Sequence, residues 1–176
     1  MKKNKIVVCV CGSVAATEAP RLVRELKRKG LDVECVMSKA AEKMIHPHVL
    51  EWASENPVIT EITGRVEHVR LCGVEGEASL LLICPATSNT ISKIACGIDD
   101  TAVTTFAATA LGSGMKVLIA PAMHYSMYKN FFVADNLKKL KANGVIVMEP
   151  RLEENKAKLA DIKEITKAVL RELRKV

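Results

Sequence analysis

The chain has no glutamine, only 3% aromatic residues, no CxxC pair and no long apolar run. Each shortage removes a class of function. Nucleic-acid surfaces pair basic side chains with stacking rings, and here no lysine or arginine block is interleaved with aromatics. Spanning a bilayer as a helix takes about 20 apolar residues, whereas the longest runs, such as Leu80 to Cys84, are far shorter. The start, Met1-Lys-Lys-Asn-Lys5, leads into a strand-like run without a small-residue cleavage site. Six cysteines (Cys9, Cys11, Cys35, Cys72, Cys84, Cys96) lie mostly inside apolar runs. None is spaced with His46, His48, His68 or His124 as zinc ligands would be. The expectation is a cytoplasmic protein with reduced, mostly buried thiols, no metal, no membrane and no nucleic acid. Lack of glutamine is compatible with heat adaptation and decides nothing further.

What is present points to a sizeable core. With 176 residues and 49% apolar content, one domain over residues 1–176 is expected. The formal net charge of +6 falls largely on helix ends, with Lys27, Arg28 and Lys29 closing one helix and Lys138, Lys139 and Lys141 another. That surplus also suits the attraction of a phosphorylated small substrate.

Apolar runs at Ile6 to Cys11, Val33 to Met37, Leu80 to Cys84, Val117 to Ala120 and Val145 to Met148 alternate with helical spacing. Such alternation predicts an α/β fold of three layers, an open parallel sheet with helices on both faces. Ala15, Ala16, Ala19, Leu22, Val23 and Leu26 share one helical face, with Pro20 in the first turn or kinking it and Gly30 as a left-handed stop. Ile162, Ile165, Val169, Leu173 and Val176 predict a C-terminal amphipathic helix over about residues 160–175. The stretch from His46 to Arg70 breaks the alternation; it reads as a short helix and an irregular segment, often a binding element.

Three strand ends carry polar side chains, where open parallel sheets place their ligands. After the first strand, Gly12 permits an unusual turn and Ser13 caps a helix beside free amides, a plausible phosphate site. It is neither a GxGxxG fingerprint nor a Walker loop. After the third strand comes Pro85-Ala-Thr-Ser-Asn-Thr90, whose Thr87, Ser88, Asn89 and Thr90 offer more donors than one N-cap needs. Capping alone is the structural alternative. After the fourth strand, Pro121-Ala-Met-His-Tyr-Ser-Met-Tyr128 places His124 beyond the sheet; the alternative is a loop with two core methionines. Asp99 and Asp100 are adjacent, so their carboxylates diverge, favouring structural or partner contacts.

Taken together and in this order, Gly12-Ser13-Val14-Ala15-Ala16, His68-Val69, the Pro85 to Thr90 run, Gly97-Ile98-Asp99-Asp100 and Pro121-Ala122-Met123 resemble the flavin-dependent cysteine decarboxylase superfamily. The match is strongest to its phosphopantothenoylcysteine decarboxylase branch, an FMN-dependent carboxy-lyase of coenzyme A biosynthesis, and runs from about Ile6 to Pro150. The resemblance implies a Rossmann-like, flavodoxin-like flavoprotein that acts as a homotrimer or trimer-based dodecamer. It implies FMN contacts from Gly12, Ser13, Val14, Ser38, Met44, Thr87, Ser88, Asn89, Thr90 and Ala122, with His68 as catalytic base. Histidine suits that role, since its unperturbed pKa lies near neutrality. Met123 and His124 would hold the substrate, and Lys156 and Lys158 would clamp its phosphate.

Two positions depart from the family pattern. His124 stands where asparagine usually holds the substrate carboxylate, and Tyr128 stands in place of tryptophan. No cysteine follows Cys96, although relatives carry one in a mobile clamp that completes reduction of the product. Alternatives therefore stay open: a peptidyl-cysteine decarboxylase, a flavin prenyltransferase, or a non-catalytic electron carrier or regulatory subunit. Some relatives are fused to a ligase; this chain stops at Val176, so the decarboxylase half alone is expected, and a separate phosphopantothenate-cysteine ligase stays open as a partner.

Overall fold

A computed structural model describes residues 4–174. In chain order its elements are β1 (Lys5–Val10), α1 (Ala19–Arg28), β2 (Asp32–Met37), α2 (Pro47–Ser54), α3 (Glu67–Cys72), β3 (Leu80–Ala86), α4 (Ser88–Ala95) and α5 (Ala102–Gly112). They continue with β4 (Lys116–Pro121), β5 (Met123–His124), α6 (Tyr125–Tyr128), α7 (Phe131–Ala142), β6 (Ile146–Val147), β7 (Arg151–Glu153), β8 (Lys156–Lys158) and α8 (Ile162–Arg174). The main sheet is five-stranded and parallel, in the order β2-β1-β3-β4-β6.

Strand alternation sends successive side chains to opposite faces, and in a parallel sheet helices cover both. Ile6, Val8 and Val10 of β1 therefore join one core with Leu22, Val23 and Leu26 of α1, Leu50 of α2 and Ile165 and Val169 of α8. Val7 and Cys9 face the other way and pack with Leu71 of α3, Ile91 of α4, Phe106 of α5 and Leu137 of α7. The three large apolar side chains of α1 are fully buried, each stabilising the fold by about 1.5–3 kcal/mol. Among the described residues no helix is long and apolar enough to cross a membrane.

Helix boundaries refine the expected ones. Val14–Glu18 forms a separate 3-10 turn, so Ala15 and Ala16 precede α1 rather than belong to it. Pro20 sits in the first turn of α1, where no amide is needed. Gly30 has φ +81° and ends the helix as expected. The terminal helix runs as predicted to Arg174; Val176 and Met1 lie outside the described residues. A second, three-stranded sheet, β5-β8-β7, was not legible in the sequence.

In this strand order the chain reverses its direction of travel between β1 and β3, and the crevice beyond the carboxyl ends there is where such sheets bind ligands. Gly12 and Ser13 follow β1, Ser38 to Ala40 follow β2, and Thr87 to Thr90 follow β3. The topology brings all three segments to one rim.

Candidate active site

A cleft of about 700 Å³ opens at that rim, lined by Gly12, Ser38, Thr87, Ser88, Asn89 and Thr90 of the expected cofactor residues. Local geometry explains the polar clustering. Thr87 is the N-cap of α4, and its Oγ1 accepts the Thr90 amide at 3.3 Å. The amides of Ser88 and Asn89, first in the helix, have no intrahelical acceptor and are available to an anion. Ser38 accepts the Ala41 amide at 3.2 Å, which folds the turn after β2 against Gly12. Gly12 is needed there for space and not for an unusual φ: a Cβ would lie 2.4 Å from Cβ of Ala40.

The cleft has further walls that motif reading left out. Lys93, Asp99, Asp100, Thr101, Ala102 and Thr105 close one side. Lys93 holds both oxygens of Asp100, at 2.8 and 2.7 Å, so of the adjacent aspartates Asp100 forms an ion pair, and among the described residues there is no metal cluster. Thr60, Glu61 and Ile62, from the irregular stretch after α2, form the opposite wall.

A second cavity, about 390 Å³, adjoins the first where Gly12 passes into Ser13. It gathers Ser13, Val14, Ala122, Met123, His124, Lys156 and Lys158. Ser13 accepts the Ala15 amide at 3.3 Å, capping the 3-10 turn. β5 pairs with β8, setting His124 opposite Lys156, and β8 pairs with β7, setting Lys158 opposite Arg151. Directly opposite residues share a face, so one side of this small sheet carries four basic groups. Ser126 Oγ and His124 Nδ1 share a 3.0 Å hydrogen bond that fixes the ring. The Tyr125 amide donates to the Asn155 carbonyl at 3.0 Å, tying the hairpin tip to α6.

The cations of this cavity differ in availability. Lys158 is engaged by Glu153 at 3.3 Å and Glu154 at 2.9 Å. Arg151 donates through Nε to the Leu159 carbonyl at 3.1 Å, which orients the guanidinium, and its Nη1 lies 4.0 Å from Glu153, a looser pairing than those of Lys158. Sequence reasoning missed Arg151, whose only signal was basic charge near Lys156.

Two expected residues lie apart. Met44 is 44% exposed and lines neither cavity. His68 is half-buried on α3, not on an irregular segment as expected, because Glu67 starts a short helix there. Its ring packs edge-on against Phe106 at 6.4 Å, and Nδ1 is buried without a hydrogen-bond partner. His68 lines neither cavity of this chain.

A hydroxyl- and amide-lined cleft at the carboxyl ends of a parallel sheet has the donor set that a phosphorylated flavin requires, and its volume suits one small ligand. The Flavoprotein family matches residues 1–174. The chain belongs to the Flavoprotein family. This flavoprotein is 55% identical over 171 residues to the coenzyme A biosynthesis bifunctional protein CoaBC of Thermococcus kodakarensis, covering 97% of the chain but 42% of that relative's length. It is 33% identical over 153 residues to the probable phosphopantothenoylcysteine decarboxylase of Streptococcus mutans, covering 84% of this chain and 83% of that one. Among solved structures, the peptidyl-cysteine decarboxylase EpiD superposes with a TM-score of 0.83 at 29% identity, covering 94% and 98% of the two chains. The parallel sheet predicted from the sequence is thus shared with this neighbour across almost the whole chain.

Proposed function

We propose that the chain is an FMN-dependent decarboxylase that converts 4'-phosphopantothenoylcysteine to 4'-phosphopantetheine in coenzyme A biosynthesis. One observation carries this reading: an amide- and hydroxyl-lined cleft that includes Gly12 stands beside a smaller cavity that includes the next residue, Ser13, with His124, Arg151 and Lys156. Gly12, Ser38 and Thr87 to Thr90 would hold the cofactor, with Ser13, Val14 and Ala122 at the junction.

Loss of CO2 from a cysteine carboxylate leaves a carbanion with no electron sink. FMN, when bound, would take two electrons from the substrate thiol to create that sink and would return them to the enethiol left by loss of CO2, so that conversion to the thiol product is redox-neutral overall. His124 donates a hydrogen bond to the substrate carboxylate, and Met123 packs beside it. Arg151 and Lys156 take the phosphate, a task for which a forked guanidinium is well shaped. His68 serves as base for the thiol proton.

The position of His68 bears on assembly. It lies on a helix that exposes Val69 (51%) and follows the exposed cap residue Val66 (49%), while Met127 at the cleft and Phe131 and Phe132 soon after it in the chain are also uncovered. Large exposed apolar groups mark interaction surfaces. The proposal is a cytoplasmic homotrimer or trimer-based dodecamer in which His68 and Met44 of one copy face the cleft of another. A phosphopantothenate-cysteine ligase, fused or separate, is the partner that makes the substrate.

A second reading is favoured by one feature. The hairpin beside His124 carries no cysteine, so the reaction can stop at the enethiol, as a peptidyl-cysteine decarboxylase would leave it. Purified protein titrated with FMN tests the cofactor: quenching of flavin fluorescence with saturation at one FMN per chain is expected. A chain that leaves FMN fluorescence unchanged sinks both readings.

A further inference from the structure

The segment from Ile59 to Val66 is a thin wall with open space on both sides. Thr60 and Glu61 line the large cleft on one side and, on the other, a cavity of about 550 Å³ that also touches Glu34, Arg65 and Arg70. Between the two cavities Ile59 and Ile62 pack against the core that holds Leu71 and Phe106, and hydrogen bonds hold the segment at two points. At one end the Ile59 amide donates to the Cys35 carbonyl at 2.9 Å and the Met37 amide to the Ile59 carbonyl at 2.8 Å, a short bridge to β2. At the other end Glu67, only 9% exposed, accepts the Thr63 amide at 3.0 Å and the Thr63 hydroxyl. The Arg65 amide in turn donates to Thr63 Oγ1 at 3.2 Å.

Glu67 is also the first residue of α3, and His68 is the second. The far end of this helix is fastened independently, by Ser113 Oγ donating to the Cys72 carbonyl at 2.7 Å and by Arg70 pairing with Glu77 at 3.0 Å. The near end has no side-chain cap from Val66, which sits at φ 45°, a strained choice for a β-branched residue. Strain of this kind persists only where neighbours over-determine the backbone. The Val66 amide donates to the Thr63 carbonyl at 3.1 Å, and the Glu67 carboxylate, by holding Thr63, reinforces that constraint.

We infer that Glu67 is a positioning residue, which couples the Thr60–Ile62 wall of the cofactor cleft to the helix carrying His68. The inference rests on the FMN-decarboxylase reading for its kinetic consequence, but the coupling itself is a property of the chain. Removing the carboxylate leaves the Thr63 amide and hydroxyl without their acceptor. The wall then loses one of its two hydrogen-bonded anchors and keeps the packing of Ile59 and Ile62.

The test compares the full-length protein with Glu67→Ala, Glu67→Gln and Thr63→Val by three readouts: amide hydrogen exchange, FMN affinity, and decarboxylation of phosphopantothenoylcysteine. In Glu67→Ala, exchange should accelerate at residues 60–66 and at the start of α3, FMN Kd should rise roughly tenfold, and kcat should fall by a similar factor. Glutamine keeps a carbonyl acceptor and should restore FMN affinity to within about threefold. Thr63→Val removes one hydroxyl at an exposed position and should show a smaller loss in the same order, covering the case that Glu67→Ala fails to fold. A fall in melting temperature with unchanged exchange at residues 60–66 and unchanged FMN Kd would overturn the inference, as would a glutamine variant no better than alanine. If the unmodified protein fails to bind FMN, the decarboxylase reading fails; accelerated exchange in both segments would still support the coupling, and unaltered exchange would overturn it.

Discussion

Gly12→Ala offers a sharp probe of how the cleft is built. The new Cβ would stand 2.4 Å from Ala40 Cβ, 2.9 Å from its carbonyl carbon and 3.0 Å from its oxygen. Carbon atoms sit comfortably at about 3.5–4.0 Å, so the Ser38–Ala41 turn must retreat by roughly 1 Å. Two of the three neighbours are backbone atoms and cannot rotate away. The turn is also tied to β1, since the Ser38 amide donates to the Val10 carbonyl at 3.1 Å. Overpacking of this kind costs about 1–3 kcal/mol, which for a chain of this size lowers Tm by roughly 2–12 °C. Ser38, Lys39 and Ala40 line the cleft, so FMN Kd should rise by about tenfold or more with the displaced wall. Thermal melts without ligand and FMN fluorescence titration check the two effects separately. Gly112→Ala is the control: it ends α5, meets nothing within 4 Å, and should be neutral or stabilising by about 0.4–1 kcal/mol. An alanine at position 12 with unchanged Tm and unchanged FMN affinity would refute the close-approach account of this glycine.

Other outcomes follow from the same geometry. Asp32 is nudged up by burial but held below the usual carboxylate range overall by Asn56 and Lys5, while Glu77 is lowered by hydrogen bonds from Lys5 and Arg70. Both groups thus add stability above about pH 4, lost as pH falls through their depressed values. Lys5, pulled down by burial but raised well above its ordinary value by Glu77 and Glu34, adds stability that persists until pH climbs past about 10.4. Lys5→Met should cost about 1–3 kcal/mol at neutral pH and move the acid unfolding midpoint upward, read by denaturant melts across pH. Arg151→Ala should raise KM for the phosphorylated substrate about tenfold or more while sparing FMN affinity and turnover of an unphosphorylated analogue. His68→Asn should keep FMN bound and lower CO2 release by about 100-fold or more; full activity would remove His68 from the mechanism. Only Cys96 is exposed, and burial pushes the Cys35 thiol up to about 12 and Cys11 to about 11, so native alkylation followed by mass spectrometry should modify Cys96 alone.

The main sheet was legible because each strand is a continuous β-rich run in a chain that alternates with helical periodicity, and the parallel sheet buries both faces of such runs. Gly30 marked a helix end correctly, with φ of 81°. The second sheet was not legible. Its strands have two or three residues, and the turn between β7 and β8 places Glu154 and Asn155 at positive φ without any glycine to signal it. That hairpin brings Arg151 beside His124, a juxtaposition that spacing along the chain does not announce. The cluster from Thr87 to Thr90 could be read because donors concentrate at a helix start. The Thr60–Ile62 wall could be foreseen only as an irregular excursion, since long-range hydrogen bonds to β2 and from Thr63 to Glu67 decide its place. His68 was read on a loop because the six residues of α3 are too few to show a period.

The account turns on the Pro121–Tyr128 segment and its hairpin as the substrate side of a flavin cleft. The most direct measurement incubates the FMN-loaded protein with 4'-phosphopantothenoylcysteine and follows CO2 and the mass of the product. The account predicts CO2 released in step with substrate loss, together with 4'-phosphopantetheine, or its enethiol where reduction is not completed. An FMN-loaded protein that leaves the substrate intact would contradict it.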